Sequence, residues 1–118
     1  MSEFVLLYRT TSEAREEAMG TPQKTEQSLA RWRAWFDEMK GKGQLRNIGI
    51  PLDPPGKVVR GRNRTVIDGP YSETKELIGG FSVVEAKDIA EAARIAAGCP
   101  ILEGGGSVEV RPVRQLDP

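Results

Sequence analysis

Apolar positions along the chain gather into short runs separated by polar and turn-forming stretches. The first run, Phe4-Val5-Leu6-Leu7-Tyr8, is apolar at every position, as in a strand covered on both faces. Arg9 to Gly20 is polar and predicts a loop. Thr21-Pro22 then pairs an N-cap residue with proline at the first helical position. Leu29, Trp32, Phe36 and Met39 recur at three- and four-residue steps, so they form one apolar helix stripe facing the core. Trp35 lies beside that stripe, placed for a domain edge or a subunit contact. Gly41 and Gly43 supply the stop.

Strand patterns dominate the middle of the chain. Leu45 to Leu52 predicts a second strand, ended by Pro51 and by the turn Asp53-Pro54-Pro55-Gly56. Lys57 to Ile67 returns as a strand in a hairpin with it. Leu77 to Ala86 is the next strand, and Gly79-Gly80 marks a bulge or a close approach by another backbone or a ligand. Asp88 and Glu91 make a D-x-x-E capping box, and Ile89, Ala92, Ala93 and Ala96 give a second helix a narrow stripe. Gly98 ends that helix, Glu103 to Gly106 is a loop, and Ser107 to Val113 is the last strand. The order β-α-β-β-β-α-β reads as one α+β domain over residues 1–118 with a mainly antiparallel sheet. Right-handed crossovers place both helices on one face. The other face keeps apolar side chains, and a symmetric homodimer burying face against face is the simplest cover.

Composition narrows the function classes. Lys+Arg and Asp+Glu both number 17, a net charge of zero that offers no overall attraction to nucleic acid or anionic membrane. No apolar run approaches the ~20 residues of a membrane span, and Met1-Ser2-Glu3-Phe4 lacks the head of a secretory signal. The single cysteine, Cys99, permits no intrachain disulfide, so a cytoplasmic location is expected. There is no histidine, which removes the commonest general base and metal ligand. No metal-ligand spacing occurs. Gly104-Gly105-Gly106 lacks the helix and lysine of a P-loop, so no cofactor is expected. Cys99 precedes Pro100 without basic neighbours and reads as inert.

The densest chemistry lies in Asp68-Gly69-Pro70-Tyr71-Ser72-Glu73-Thr74-Lys75-Glu76. Gly69 tolerates positive φ, and Pro70 fixes its own φ while restricting its predecessor, so the chain turns a defined corner beside Asp68. Asp68 is a general base or ligand acceptor under Tyr71 in one reading. In the other it is an Asx-type turn residue that stiffens the loop. Glu73, Lys75 and Glu76 form either a solvated ion-pair cluster or, if buried, a site with Lys75 as a base. Arg60, Arg62 and Arg64 alternate on the expected strand and point to Asp68's face. They would hold an anionic ligand or simply keep an exposed strand soluble.

Asp68-Gly69-Pro70-Tyr71 followed by Glu73, Thr74, Lys75 and Glu76 resembles the signature of the DGPF proteins, a branch of the YCII-related family, with Tyr71 for the usual Phe. Gly106-Ser107-Val108-Glu109-Val110-Arg111-Pro112-Val113 is similar to that family's closing strand. The resemblance implies a ferredoxin-like α+β domain that pairs into a dimeric barrel. It also implies a histidine–aspartate dyad, but Ser28 stands where the relatives carry the histidine, so that mechanism does not transfer to this chain. Two functions are therefore expected as alternatives. One is a small-molecule-binding protein or lyase/isomerase-type enzyme, with Asp68 as catalytic residue and Tyr71, Glu73, Lys75, Arg62 and Arg64 around the ligand. The other is a non-catalytic interaction module, since such proteins are associated with extracytoplasmic-function sigma factors.

Overall fold

Strand β1, Ser2–Thr10, is the spine of the fold, hydrogen-bonded on both sides within an antiparallel sheet. The computed structural model describes residues 1–69 and 76–116. The other elements are α1 (Ser12–Met19), α2 (Pro22–Gly41), β2 (Leu45–Pro51), β3 (Lys57–Arg60), β4 (Thr65–Asp68), β5 (Leu77–Ala86), α3 (Ile89–Ala96), a 3-10 turn (Pro100–Gly104) and β6 (Ser107–Pro112). The main sheet runs β2-β5-β1-β6, and β3 and β4 form a separate two-stranded hairpin. This is a mixed α+β architecture compatible with the ferredoxin-like class.

The helices cover one face of the main sheet. Phe4, Leu6 and Tyr8 of β1 point into that layer with Val84 and Ala86 of β5. They meet Trp35 and Met39 of α2, Ala92 and Ala96 of α3, and Cys99. Alanines at the α3 contact let its backbone lie close to the strands. Val5, Leu7, Phe81 and Val83 alternate onto the opposite face and are only half-buried.

Four local expectations are corrected. Arg9 to Gly20 is not a loop: Thr11 caps α1 by accepting from the Ala14 N–H at 3.0 Å, and Glu, Ala and Met favour the helix. With no buried residue, α1 carries no apolar stripe for periodicity to detect. In α2 the buried stripe is Ser28, Trp35 and Met39 with Trp32 alongside, while Leu29 is 44% exposed. Positions 28, 32, 35 and 39 follow the helical period and Leu29 sits a residue off that line, which makes Trp35 a core residue. In α3, Ala92 and Ala96 face inward with Ile95, whereas Ile89 and Ala93 face out.

The fourth correction concerns the Lys57–Ile67 segment. It is not one strand paired with β2; it folds on itself as β3 and β4, and β2 pairs with β5 instead. The reversal falls at Gly61-Arg62-Asn63-Arg64, where Gly61 (φ 75°) and Arg64 (φ 54°) take left-handed conformations. Glycine and asparagine within a polar break are turn chemistry, and they override the alternation of arginines.

Glycine also shapes the sheet. The β1–β5 register shifts between Tyr8 and Arg9, so Gly79 is the bulged residue. On the other side of β5, Gly49 takes φ 74° within an irregular stretch of β2.

Candidate functional site

Asp68 ends β4 directly opposite Lys57, the first residue of β3, and the two side chains form an ion pair. Both are 67% exposed, so the pair lies on the hairpin surface rather than in a pocket. Gly69 is buried, and its N–H donates to the Gly56 carbonyl at 3.1 Å, closing the base of the hairpin. Arg62 and Arg64 sit in the turn at the opposite end, where the Arg64 guanidinium donates to the Arg62 carbonyl at 3.2 Å. They do not converge with Asp68 on one strand face. Tyr71, Glu73 and Lys75 lie outside the described residues.

A different set of polar side chains is brought together on the open sheet face. Leu7 pairs with Glu109 and Arg9 with Ser107 across β1 and β6, which sets Arg9, Ser107 and Glu109 on the side away from the helices. Glu76 joins them from the residue before β5. The Arg9 guanidinium donates to Glu109 Oε1 at 3.1 Å and lies 3.5 Å from Glu76 Oε2. Ser107 Oγ donates to Glu76 Oε2 at 2.5 Å, and Arg111 donates to Glu109 Oε2 at 3.1 Å. Arg9's planar fork thus bridges two carboxylates and holds their spacing. Side-chain exposures of 39%, 31% and 35% for Arg9, Glu76 and Glu109 leave the group accessible to a ligand. At that exposure each pair contributes at most ~1 kcal/mol to stability.

The face has a second polar edge. Arg46 Nε lies 3.3 Å from Glu3 and 3.6 Å from Glu85. Between the two charged ends lies an apolar strip of Val5, Leu7, Phe81 and Val83, extended by Ile50 opposite Phe81. A strip of this kind suits either an apolar ligand body or a second protein surface.

Behind the sheet, polar groups serve the core. Tyr8 donates to Ser82 Oγ at 2.7 Å, and Ser82 donates to the Ile48 carbonyl at 2.6 Å. The Tyr8 ring packs edge-on against Trp32, with centroids 4.8 Å apart. Burial, only partly offset by the Ser82 hydrogen bond, pushes the Tyr8 phenol far above its ordinary value. Burial likewise raises the Cys99 thiol to about 12. Both stay protonated at neutral pH, which removes them as bases or nucleophiles. Ser28 is buried on the sheet-facing side of α2.

An open groove of about 690 Å³ runs along the α1–α2 corner, lined by Met19, Thr21, Thr25, Leu29 and Arg33 among others. It brings together no carboxylate pair or nucleophile–base contact among the described residues. Those residues contain no cluster of potential metal ligands, and none of their helices is long and apolar enough to cross a membrane.

Ser107, Glu109 and Arg111 were legible as a set: Ser-Val-Glu-Val-Arg is a clean polar/apolar alternation that puts all three on one strand face. Arg9 and Glu76 carried no such signal, because their meeting depends on the order of β5, β1 and β6.

An antiparallel sheet with helices on one face and charged residues gathered on the other defines the class as α+β. The chain belongs to the YCII-related domain family, whose sequence model matches residues 4–117. No curated protein matches it.

Proposed function

We propose that the protein is a small-molecule-binding domain whose site is the open sheet face, capped at its polar end by Arg9, Glu76, Ser107 and Glu109. The observation that carries the reading is the Arg9 bridge between Glu76 and Glu109 at the edge of an uncovered apolar strip. The ligand this suits has an apolar body for Leu7, Phe81 and Val83 and a polar head with both donors and acceptors. A second copy of the chain, face to face, would close the strip into a lumen and bury the apolar area that one copy leaves bare. Binding without turnover is the form the residues favour, because both carboxylates are already engaged by cationic or hydroxyl partners. Lyase or isomerase chemistry would need a free base.

A non-catalytic interaction role, with a sigma factor among the partners of that class, is the second reading. The surface position of Asp68, paired with Lys57, favours it over Asp68 catalysis. A metabolite-library thermal-shift screen on the parent and on Arg9→Met decides between them. Hits that stabilise the parent and lose their effect in a folded Arg9→Met protein support the binding site. A library without hits, or hits indifferent to Arg9, overturns it.

A further inference from the structure

The β3–β4 hairpin packs substantially against no other element among the described residues. The molecule is correspondingly spread out. Its radius of gyration is 15.7 Å, against about 13–14 Å for a compact chain of this length, and its extents are 47 × 42 × 19 Å. A two-stranded hairpin standing alone in water is marginal. This one also presents apolar pairs on both faces: Val59 opposes Val66 on one side, and Val58 opposes Ile67 on the other. Val59 is 65% exposed, Val66 58% and Ile67 40%. A projecting strand pair with apolar side chains on both sides calls for a surface to lie against.

Charge indicates what that surface is. Residues 57–68 hold four cationic side chains, Lys57, Arg60, Arg62 and Arg64, against the single carboxylate of Asp68, a net of +3. Because the whole chain is neutral, the remaining residues carry −3. Part of that acid is exposed on α1 as Glu13, Glu16 and Glu17, with only Arg15 to offset it. The hairpin and the body of the same chain are therefore electrostatic complements, yet the hairpin does not fold back onto its own body. Complementarity of this kind steers association and fixes its register.

We propose that the β3–β4 hairpin is an arm that clasps a second copy of this chain, its arginine-rich tip meeting the acidic body of that copy. The inference rests on the homodimer reading above and adds a contact that face-to-face pairing does not require. The base of the arm is suited to excision, since Gly56 and Gly69 are already hydrogen-bonded to each other. Lys57 and Asp68, paired just above that link, hold the two strands together where the arm leaves the body.

The test compares three full proteins by sedimentation velocity across a dilution series. They are the parent, a variant joining Gly56 to Gly69 through a short Asn-Gly turn, and the double variant Arg62→Glu/Arg64→Glu. The arm account predicts a parent dimer, weakening of about tenfold or more on excision, and weakening by charge reversal in a protein whose hairpin is intact. It also predicts that added salt dissociates the parent more than the excised variant. Excised and charge-reversed proteins that dimerise as the parent does would overturn the arm while leaving the face-to-face dimer standing. A parent that is monomeric throughout would overturn both. Salt-sensitive binding of the parent to a random-sequence DNA duplex, with unchanged dimerisation in the variants, would assign the arginines to nucleic acid and overturn the clasp.

Discussion

Tyr8 and Ser82 meet diagonally across β1 and β5, where Ser82 stands opposite Leu6, and the Tyr8 phenol donates to the serine hydroxyl at 2.7 Å inside the core. Ser82 then donates to the Ile48 carbonyl in β2, so one buried hydroxyl joins three neighbouring strands. The two partners are not equivalent. Tyr8→Phe removes a donor, and Ser82 keeps its bond to β2; the expected cost is about 1 kcal/mol. Ser82→Ala leaves the Tyr8 hydroxyl and the Ile48 carbonyl unpaired together, at about 2–3 kcal/mol. Urea melts of the two variants check the order; a Tyr8→Phe protein less stable than Ser82→Ala contradicts it.

The β2 irregularity depends on a single glycine. Gly49 has φ 74°, and a Cβ there would lie 1.6 Å from the Phe81 carbonyl oxygen. No rotamer relieves a clash with backbone. Gly49→Ala is expected to cost upwards of about 3 kcal/mol and to loosen the β2 edge, reported by faster amide exchange across residues 45–51. An alanine variant with parental stability would show that β2 does not cross β5 in this way.

Alkaline stability follows from Cys99. Its folded value of about 12 lies above the ordinary thiol value of 9.0 because burial disfavours the thiolate. The unfolded chain therefore releases this proton at lower pH than the native chain, so stability is full below pH 9 and declines as pH rises toward 12. Tyr8, also raised by burial, adds to the decline at the upper end. Cys99→Ala removes the thiol contribution, and the slope of unfolding free energy against pH just above 9 becomes shallower. Equal slopes in parent and variant would contradict the assignment. The same burial predicts that a thiol reagent modifies the parent only as fast as the protein opens.

How much of this was legible in the sequence depended on the physical source of each feature. Helix α2 was, because Thr21, Pro22 and a periodic aromatic stripe all agree. So were β5 and its bulge, where Gly79-Gly80 interrupts an apolar run. Helix α1 was not: it buries nothing, and its Thr11 cap carries little weight without an apolar stripe behind it. Nor was the β3–β4 hairpin, because Arg60, Arg62 and Arg64 alternate like strand residues, although Gly61 and Asn63 between them supply the turn.

The candidate site was less legible still. The sharp corner at Gly69-Pro70 marks Asp68 in the sequence, and in the structure its carboxylate meets Lys57 on an exposed hairpin. The last residue of the same charged stretch, Glu76, is the one the structure brings to Arg9, Ser107 and Glu109. That meeting is a product of strand order, with β1 between β5 and β6, and strand order is not written in local periodicity.

The claim that the open sheet face is a binding site is tested most directly by methyl and amide chemical-shift mapping with any compound that raises the parent's melting temperature. The account predicts perturbations concentrated at Leu7, Arg9, Ser107 and Glu109, with Phe81 and Val83 following, and their loss in Arg9→Met. Perturbations centred instead on Thr21, Thr25 and Leu29 at the α1–α2 corner, or on the β3–β4 hairpin, would contradict it.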